Sequence, residues 1–411
     1  MSEQKRAGPL AHVRILDLSR IMAGPWASQM LADLGADVIK VERPGVGDDT
    51  RTWGPPVLAG EGGESTQDSG YYLCVNRGKR SVTVNISTPE GQKVIRELAG
   101  ECDIVIENFK VGTLQRYGLA YDDLRQVNPA LIYASITGFG QDGPRANEAA
   151  YDFMIQAMGG LMSITGEADD KPGGGPQKVG LPIVDLMTGM YTAVAVLAAL
   201  SRREQTGEGD YIDLALLDVQ LAFLANQGMN YLLSGNTPVR HGNAHPNIQP
   251  QDVYPCRDGS IAIAIGNDGQ FVKFAEQLGC SDLAEDERFR RNADRVINRS
   301  AMNELIVETL ARDDVANWVR RFAAVGVPCS PINTIPEVIE EPQIKHREMV
   351  RDMDHPTGSR LQQVVSPMRF RNAPLSFDRA PPTLGQHTAE VLRQLGYDDD
   401  DIQGLSENNV I

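Results

Sequence analysis

Over its first 140 residues or so the chain alternates apolar runs of strand length with segments of helical length, and this rhythm limits the fold more than any other feature. The runs 13–19 (Val-Arg-Ile-Leu-Asp-Leu-Ser), 38–42, 81–86, 103–107 and 131–137 are rich in β-branched residues, as strands are. Between them, 25–34 and 89–100 have helical patterning. Thr88-Pro89-Glu90 marks the second helix start, with a capping hydroxyl, a proline in the first turn and an acid against the dipole. Strands separated by helices of this length predict an α/β fold with a Rossmann-like, mostly parallel sheet covered on both faces.

With 411 residues and 41% hydrophobic content, the chain can fill two cores. We expect the first part of a large domain over 1–205, a linker over 206–250, a smaller α+β domain over 251–330, and a return over 331–411 that completes the large domain. The linker is expected where composition shifts after Gly209, through a helical pattern to about 233 and then the irregular 241–250. Two strand candidates, 251–256 and 260–265, flank Arg257-Asp258-Gly259. A last helix is expected at 388–395, and no internal repeat is visible.

A net charge of −16 opposes binding to nucleic acid or an anionic membrane, both of which need a basic face. The apolar stretch 190–200 is shorter than a membrane span and reads as a buried helix. Cys74, Cys102, Cys256, Cys280 and Cys329 show no paired spacing, and residues 1–10 lack the apolar core of a signal peptide. A cytoplasmic protein is the expectation.

Gly138-Phe139-Gly140-Gln141-Asp142-Gly143 matches G-x-G-x-x-G, but Pro144-Arg145 follows instead of a helix, so a glycine-rich turn is expected rather than a dinucleotide site. His241 and His245 lie four apart, yet Gly242 and Pro246 break the helix that would aim them at one metal. No serine elbow or Walker loop occurs. Chemistry therefore falls to carboxylates, and Asp185 stands out among apolar and small neighbours just before the helical run 186–200. Two readings are open: it caps that helix, or it is a poorly solvated carboxylate that attacks an acyl group. Arg20, Arg43, Arg77, Lys79, Arg80, Lys110 and Arg116 gather near strand ends, where they are either scattered surface charges or a site for a phosphate-bearing ligand. Gly266-Asn267-Asp268-Gly269-Gln270 is either a mobile flap or a strand-to-helix turn, and Trp53 either walls a pocket or fills core.

Taken together, the blocks 16–25 (Leu-Asp-Leu-Ser-Arg-Ile-Met-Ala-Gly-Pro), 34–45, 76–81 (Asn-Arg-Gly-Lys-Arg-Ser), 103–109, the Asp185 segment, 266–270 and 382–397 resemble the class III CoA-transferases along nearly the whole chain. That resemblance implies a two-step exchange on Asp185. The carboxylate attacks a donor thioester, the thiolate returns to form an aspartyl-CoA thioester, and an acceptor carboxylate then takes the CoA. It further implies CoA contacts at Met22, Arg43, Val84, Asn85, Ile86, Ser87, Asn108, Phe109, Lys110 and Arg116. Active-site support is implied from Tyr151, Asp152, Trp53 and the flap Gly266, Asn267, Asp268, Gly269 and Gln270. No metal or other cofactor beyond coenzyme A is implied, and the chain is expected as an interlocked-ring homodimer.

Two positions depart from the formyl-CoA transferase pattern: Asp152 stands for Glu and Met22 for Gln, which argues against oxalate or formate. The α-methylacyl-CoA racemase branch would place histidine at position 151, where this chain has Tyr151. A silent CoA-binding protein would have no use for Asp185. The segments 242–248 and 266–271 are similar to the succinyl-CoA:dicarboxylate transferases of glutarate type, with Arg51 a candidate for a distal carboxylate.

Overall fold

A computed structural model describes residues 7–411. Contacts divide the chain into two units, the first made of 1–159, 180–228 and 345–411, the second of 160–179 and 229–344.

The first unit is built on a six-stranded sheet. Its strands are β1 (Arg14–Asp17), β2 (Asp37–Glu42), β3 (Lys79–Thr83), β4 (Ile104–Glu107), β5 (Ile132–Thr137) and β6 (Asp210–Ala215). They pair in parallel in the order β3-β2-β1-β4-β5-β6, the Rossmann order. The expected strands are all present. The surprise is β6, which lies inside the stretch expected as linker over 206–250, so part of that stretch is framework. Its sequence, Asp-Tyr-Ile-Asp-Leu-Ala, alternates between half-buried and exposed positions at the sheet edge and lacks the unbroken apolar run of the inner strands.

Alternate side chains of each inner strand enter opposite cores. Ile15, Val38, Ile104, Ile106 and Ile132 face α1 (Ala23–Asp33), while Leu16, Ile39, Val82, Val105 and Tyr133 face α2 (Pro89–Glu101). Full burial of each such aliphatic side chain contributes about 1.5–3 kcal/mol, so the period-two pattern places the sheet between two helical layers. The Thr88 hydroxyl accepts from the Gly91 N–H at 3.1 Å and starts α2 as expected. On the first face α1 is joined by α3 (Asp152–Met158), α4 (Ile183–Thr206) and α5 (Leu216–Ala222).

By length and composition α4 is apolar enough to cross a membrane, longer than the stretch 190–200 suggested. Its stripe Val184, Ala193, Val196 and Leu200 is nevertheless buried in the core with α1 and the sheet. The crossing of α1 and α4 is close because of Gly189: a Cβ there would meet the Ala23 carbonyl oxygen at 2.6 Å and the Trp26 side chain at 2.9 Å.

The second unit has its own core. Strands β7 (Gln251–Pro255), β8 (Ser260–Ala264) and β9 (Cys329–Pro331) form an antiparallel sheet in the order β9-β8-β7, with the turn between β7 and β8 at Arg257-Asp258-Gly259 as expected. Against it pack Phe271, Phe274 and Leu278 of α6 (Asp268–Leu278), Met302, Ile306 and Leu310 of α7 (Arg299–Leu310), and Trp318 and Phe322 of α8 (Val315–Ala324). Spacings of three and four put each set on one helix face. The chain then returns to the first unit through an antiparallel hairpin, β10 (Val350–Asp354) and β11 (Arg360–Val364), which the sequence did not suggest, and α9 (Thr388–Gln394) covers the second face of the large sheet with Val391 and Leu392.

Gly189→Ala tests the crossing. Overpacking against backbone should cost about 1–3 kcal/mol, read as a lower midpoint in thermal or urea unfolding; an unchanged midpoint means that the helices part without cost.

Candidate active site

Parallel strands direct their carboxyl ends, and the loops that follow them, to one edge of the sheet. Between β1 and β4 the strand order reverses, so the loops after these two strands diverge and leave a crevice. The loop after β1 runs from Leu18 to Met22, and that after β4 carries Asn108, Phe109 and Lys110. Both line a cavity that also contains Tyr151 and Asp185.

Asp185 is the third residue of α4 and does not cap it, so the capping alternative does not hold. The cap position is Pro182, whose side chain has no acceptor. Asp152 supplies one from α3: its Oδ1 accepts from the N–H of Val184 at 2.7 Å and of Asp185 at 3.3 Å. Its Oδ2 accepts from Gln156 Nε2 at 2.6 Å. Asp152 thus satisfies two of the orphan donors at the start of α4 and holds the Asp185 backbone in place.

Burial, and then the neighbouring Asp152 charge, push the Asp185 carboxyl up to about 7. The positive end of α4 pulls the other way. The group is thus a poorly solvated carboxyl that gives up its proton far less readily than an ordinary aspartate, and among the described residues no cation forms an ion pair with it. Tyr71 is a neighbour that sequence reasoning missed. Its phenol is raised by burial and then by the charge of Asp185, and its ring meets Trp53 edge to face at 5.2 Å. Trp53 is 43% exposed, so it does not fill core, and it lines neither the Asp185 cavity nor the one along the ends of β2 and β3.

A second cavity, of about 360 Å³, lies along the ends of β2 and β3 and falls within the size range of small-molecule sites. Arg43, Val84, Asn85, Ile86, Ser87 and Phe109 line it, which brings together most of the expected CoA set, and Arg20 and Phe109 line both cavities. Met22, Asn108 and Lys110 line the first. Arg116 is exposed on the short helix Thr113–Arg116 and lines neither. Among the described residues no carboxylate pairs with Arg43, Lys110 or Arg116.

Other basic residues are spent internally. Arg77 pairs with Asp33 at 2.7 Å, Lys79 with Asp17 at 3.1 Å and Arg80 with Asp37 at 2.6 Å, all buried, so these three correct the expected phosphate set. Arg51 is corrected too. It is 1% exposed, bonded to Glu42 at 2.8 Å and to the Tyr72 hydroxyl at 2.6 Å, and ion-paired with Asp68, leaving no donor face for a substrate carboxylate.

The loop after β1 is unusually constrained. Ile21 has φ of 71°, and a β-branched residue in the left-handed region costs about 1–3 kcal/mol. Asn108 grips the preceding residue on both sides, accepting from Arg20 N at 2.8 Å and donating to Arg20 O at 2.7 Å. Its amide therefore joins the two loops of the crevice. Glu107, also missed, is buried at the end of β4, where burial pushes it up to about 7, and it accepts from Phe109 N at 2.8 Å.

Gly138, Gly140 and Gly143 form a turn after β5, with Gly140 N donating to the Thr137 hydroxyl at 2.8 Å, and no helix opens there. In the second unit, 266–270 forms the start of α6. Asn267 Oδ1 accepts from Gln270 N at 2.9 Å, Gln270 Oε1 accepts from Gly266 N at 2.8 Å, and Asp268 pairs with Arg295 at 2.7 Å. Gly269 follows in the first turn of that helix. No group of three or more His, Cys, Asp and Glu among the described residues is arranged to hold a metal ion.

The model of CoA-transferase family III matches residues 10–388. Succinate–glutarate CoA-transferase of Agrobacterium fabrum is 47% identical over 390 residues, covering 95% of this chain and 96% of that protein. Human succinyl-CoA:glutarate CoA-transferase is 41% identical over 411 residues, covering all of this chain and 91% of that protein. Among solved structures, a CAIB/BAIF family protein from Brucella suis superposes with a TM-score of 0.83 at 48% identity, covering 95% of this chain and all of that one.

Raising the Asp185 carboxyl above its ordinary 3.8 makes the folded state prefer the protonated form, so stability falls as pH rises from about 4 to about 7. Asp185→Asn should then melt higher than the parent at about pH 8, with the gap closing toward about pH 4. Equal melting temperatures across that range would contradict the assigned environment.

Proposed function

The chain belongs to CoA-transferase family III, and we propose that it carries CoA from succinyl-CoA to a small dicarboxylate such as glutarate, with Asp185 as the covalent carrier. It is a class III CoA-transferase and acts on CoA thioesters. The observation that carries the residue assignment is Asp185 itself, half-buried at the first turn of α4 and lining the crevice, with no cation among the described residues paired to it.

In the first half-reaction an Asp185 oxygen attacks the thioester carbonyl, the C–S bond breaks, and CoA leaves as thiolate from a mixed anhydride. The thiolate attacks the aspartyl carbonyl and releases the donor as carboxylate, leaving an aspartyl-CoA thioester. An acceptor carboxylate attacks this thioester, thiolate leaves again, and its attack on the acceptor acyl carbon restores Asp185. No proton or electron is gained or lost. Water is the competitor, and the poor solvation of Asp185 works against it. Arg43, Lys110 and the more distant Arg116 suit the phosphates of CoA, and Val84, Ile86 and Phe109 supply apolar wall for its organic parts. Tyr151 at the position of the racemase histidine supports transfer over racemisation.

The dicarboxylate reading comes from the relatives' names and full-length similarity. Incubation with succinyl-CoA and hydroxylamine should mark Asp185, and Asp185→Asn should lose activity by several orders of magnitude; an unmarked Asp185 with full activity in the variant overturns the assignment. Across C2 to C6 acids, transfer confined to monocarboxylates overturns the dicarboxylate reading.

We take the protein to be cytoplasmic, in keeping with five unbridged cysteines, and homodimeric. One face of α4 exposes Met190, Tyr191, Val194 and Leu197, beside Phe153 and Met154 of α3. Such a patch on a soluble chain calls for a cover, and a second copy would supply one. Light scattering should give twice the 44.8 kDa chain mass; a monomer excludes it.

A further inference from the structure

We infer that Lys40 and Asp48 are positioning residues for the reaction: their buried ion pair grips the chain on either side of Arg20, holds Ile21 in its left-handed conformation, and so fixes the wall shared by the two cavities. This rests on the reading of the Asp185 crevice as the active site. Neither residue belongs to the set expected to touch CoA or the acyl group; both border the second cavity, but their side chains are buried. Lys40 is fully buried and Asp48 nearly so, with Nζ and Oδ2 2.9 Å apart.

Both side chains end on the loop after β1. Lys40 Nζ donates to the Ser19 carbonyl at 3.0 Å. The Asp48 carboxylate accepts from the Ile21 N–H at 3.2 and 3.3 Å, and also from the Thr50 N–H at 3.0 Å and the Thr50 hydroxyl at 2.7 Å. Asp17 accepts from Ser19 N at 3.0 Å, and Asn108 holds both backbone groups of Arg20. The backbone from the Ser19 N–H to the Ile21 N–H is thereby bonded at every polar group. This is the over-determination that an isoleucine at φ 71° requires, because its branched Cβ drives it back to negative φ once released.

The chemistry of the grip suits its place. Burial opposes charging Lys40, yet Asp48, then Asp17 and Glu42, carry its ammonium above the ordinary lysine range. Burial likewise opposes charging Asp48, but Lys40 outweighs it and holds the carboxyl low. The pair is therefore ionised, and bonds from ionised groups are shorter and stronger than neutral ones. The same loop presents Arg20 to both cavities and Ile21 and Met22 to the cavity of Asp185.

The test compares Asp48→Asn with Asp48→Asn combined with Ile21→Gly, reading CoA affinity by calorimetry and kcat/KM with succinyl-CoA well below the melting temperature. Asp48→Asn should lose about tenfold or more in both, the scale of one released strained residue. Glycine adopts positive φ unaided, so the double variant should regain about threefold or more. A purely structural role moves the melting temperature and gains nothing from glycine at that one position. Asp48→Asn within about twofold of the parent, or a loss that glycine leaves untouched, overturns the proposal. Should Asp48→Asn not fold, Ile21→Pro removes the N–H that Asp48 receives and confines φ to about −65°. It should show the same loss, and parental activity there overturns the proposal equally. Asp185→Asn, run in parallel, separates the two readings: full activity in it refutes the site, whereas its inactivity beside an unimpaired Asp48→Asn refutes the grip alone.

Discussion

The crossing of α1 and α4 at Gly189 is the constraint on which the site depends. Because no Cβ stands between the helices, α4 lies against the Ala23 carbonyl at the start of α1, and the first turns of both helices reach the same crevice. A side chain at 189 would push apart the elements that carry Met22 and Asp185. The parallel order β3-β2-β1-β4-β5-β6 supplies the crevice, and the crossing puts an acid in it.

Once there, Asp185 is governed by what surrounds it rather than by what it caps. Asp152 takes the two backbone N–H groups at the start of α4, so the helix is capped from a neighbouring element and the Asp185 side chain remains free to point into the cavity. Below, side chains of both signs are buried at the strand ends, and they are costly unless paired. Lys40 with Asp48, Lys79 with Asp17 and Arg51 with Glu42 are paired, and several of their remaining bonds fasten the loops that line the cavities.

The inner strands were legible because strands covered on both faces have long apolar runs, as Ile104-Val105-Ile106 shows. β6 and the hairpin of β10 and β11 were not, since half-exposed strands such as Val350-Arg-Asp-Met-Asp read as polar coil. Asp185 was legible as an acid near a helix start, but its position three residues inside α4 and the cap from Asp152 depend on a contact between residues over thirty positions apart. Arg77, Lys79, Arg80 and Arg51 looked like ligand-binding cations for the same reason. Asp33, Asp17 and Asp37, which neutralise the first three, are distant in sequence, and Glu42, nine positions before Arg51, lies on a strand while Arg51 lies in the loop after it. Tyr71 and Glu107 left no pattern at all, being single residues whose meaning lies in their neighbours.

The closeness of Asp152 and Asp185 has a consequence for the energetics of turnover. In the resting protein two carboxylates share one helix start, and their repulsion helps to raise Asp185. Ester-like linkage of Asp185 to an acyl group or to CoA, as in the proposed cycle, erases one of the two charges and leaves Asp152 alone with the positive end of α4. The repulsion built into the empty site would thus vanish in the loaded one, levelling the free-energy profile so that the covalent state is less of a climb and the exchange can run in either direction.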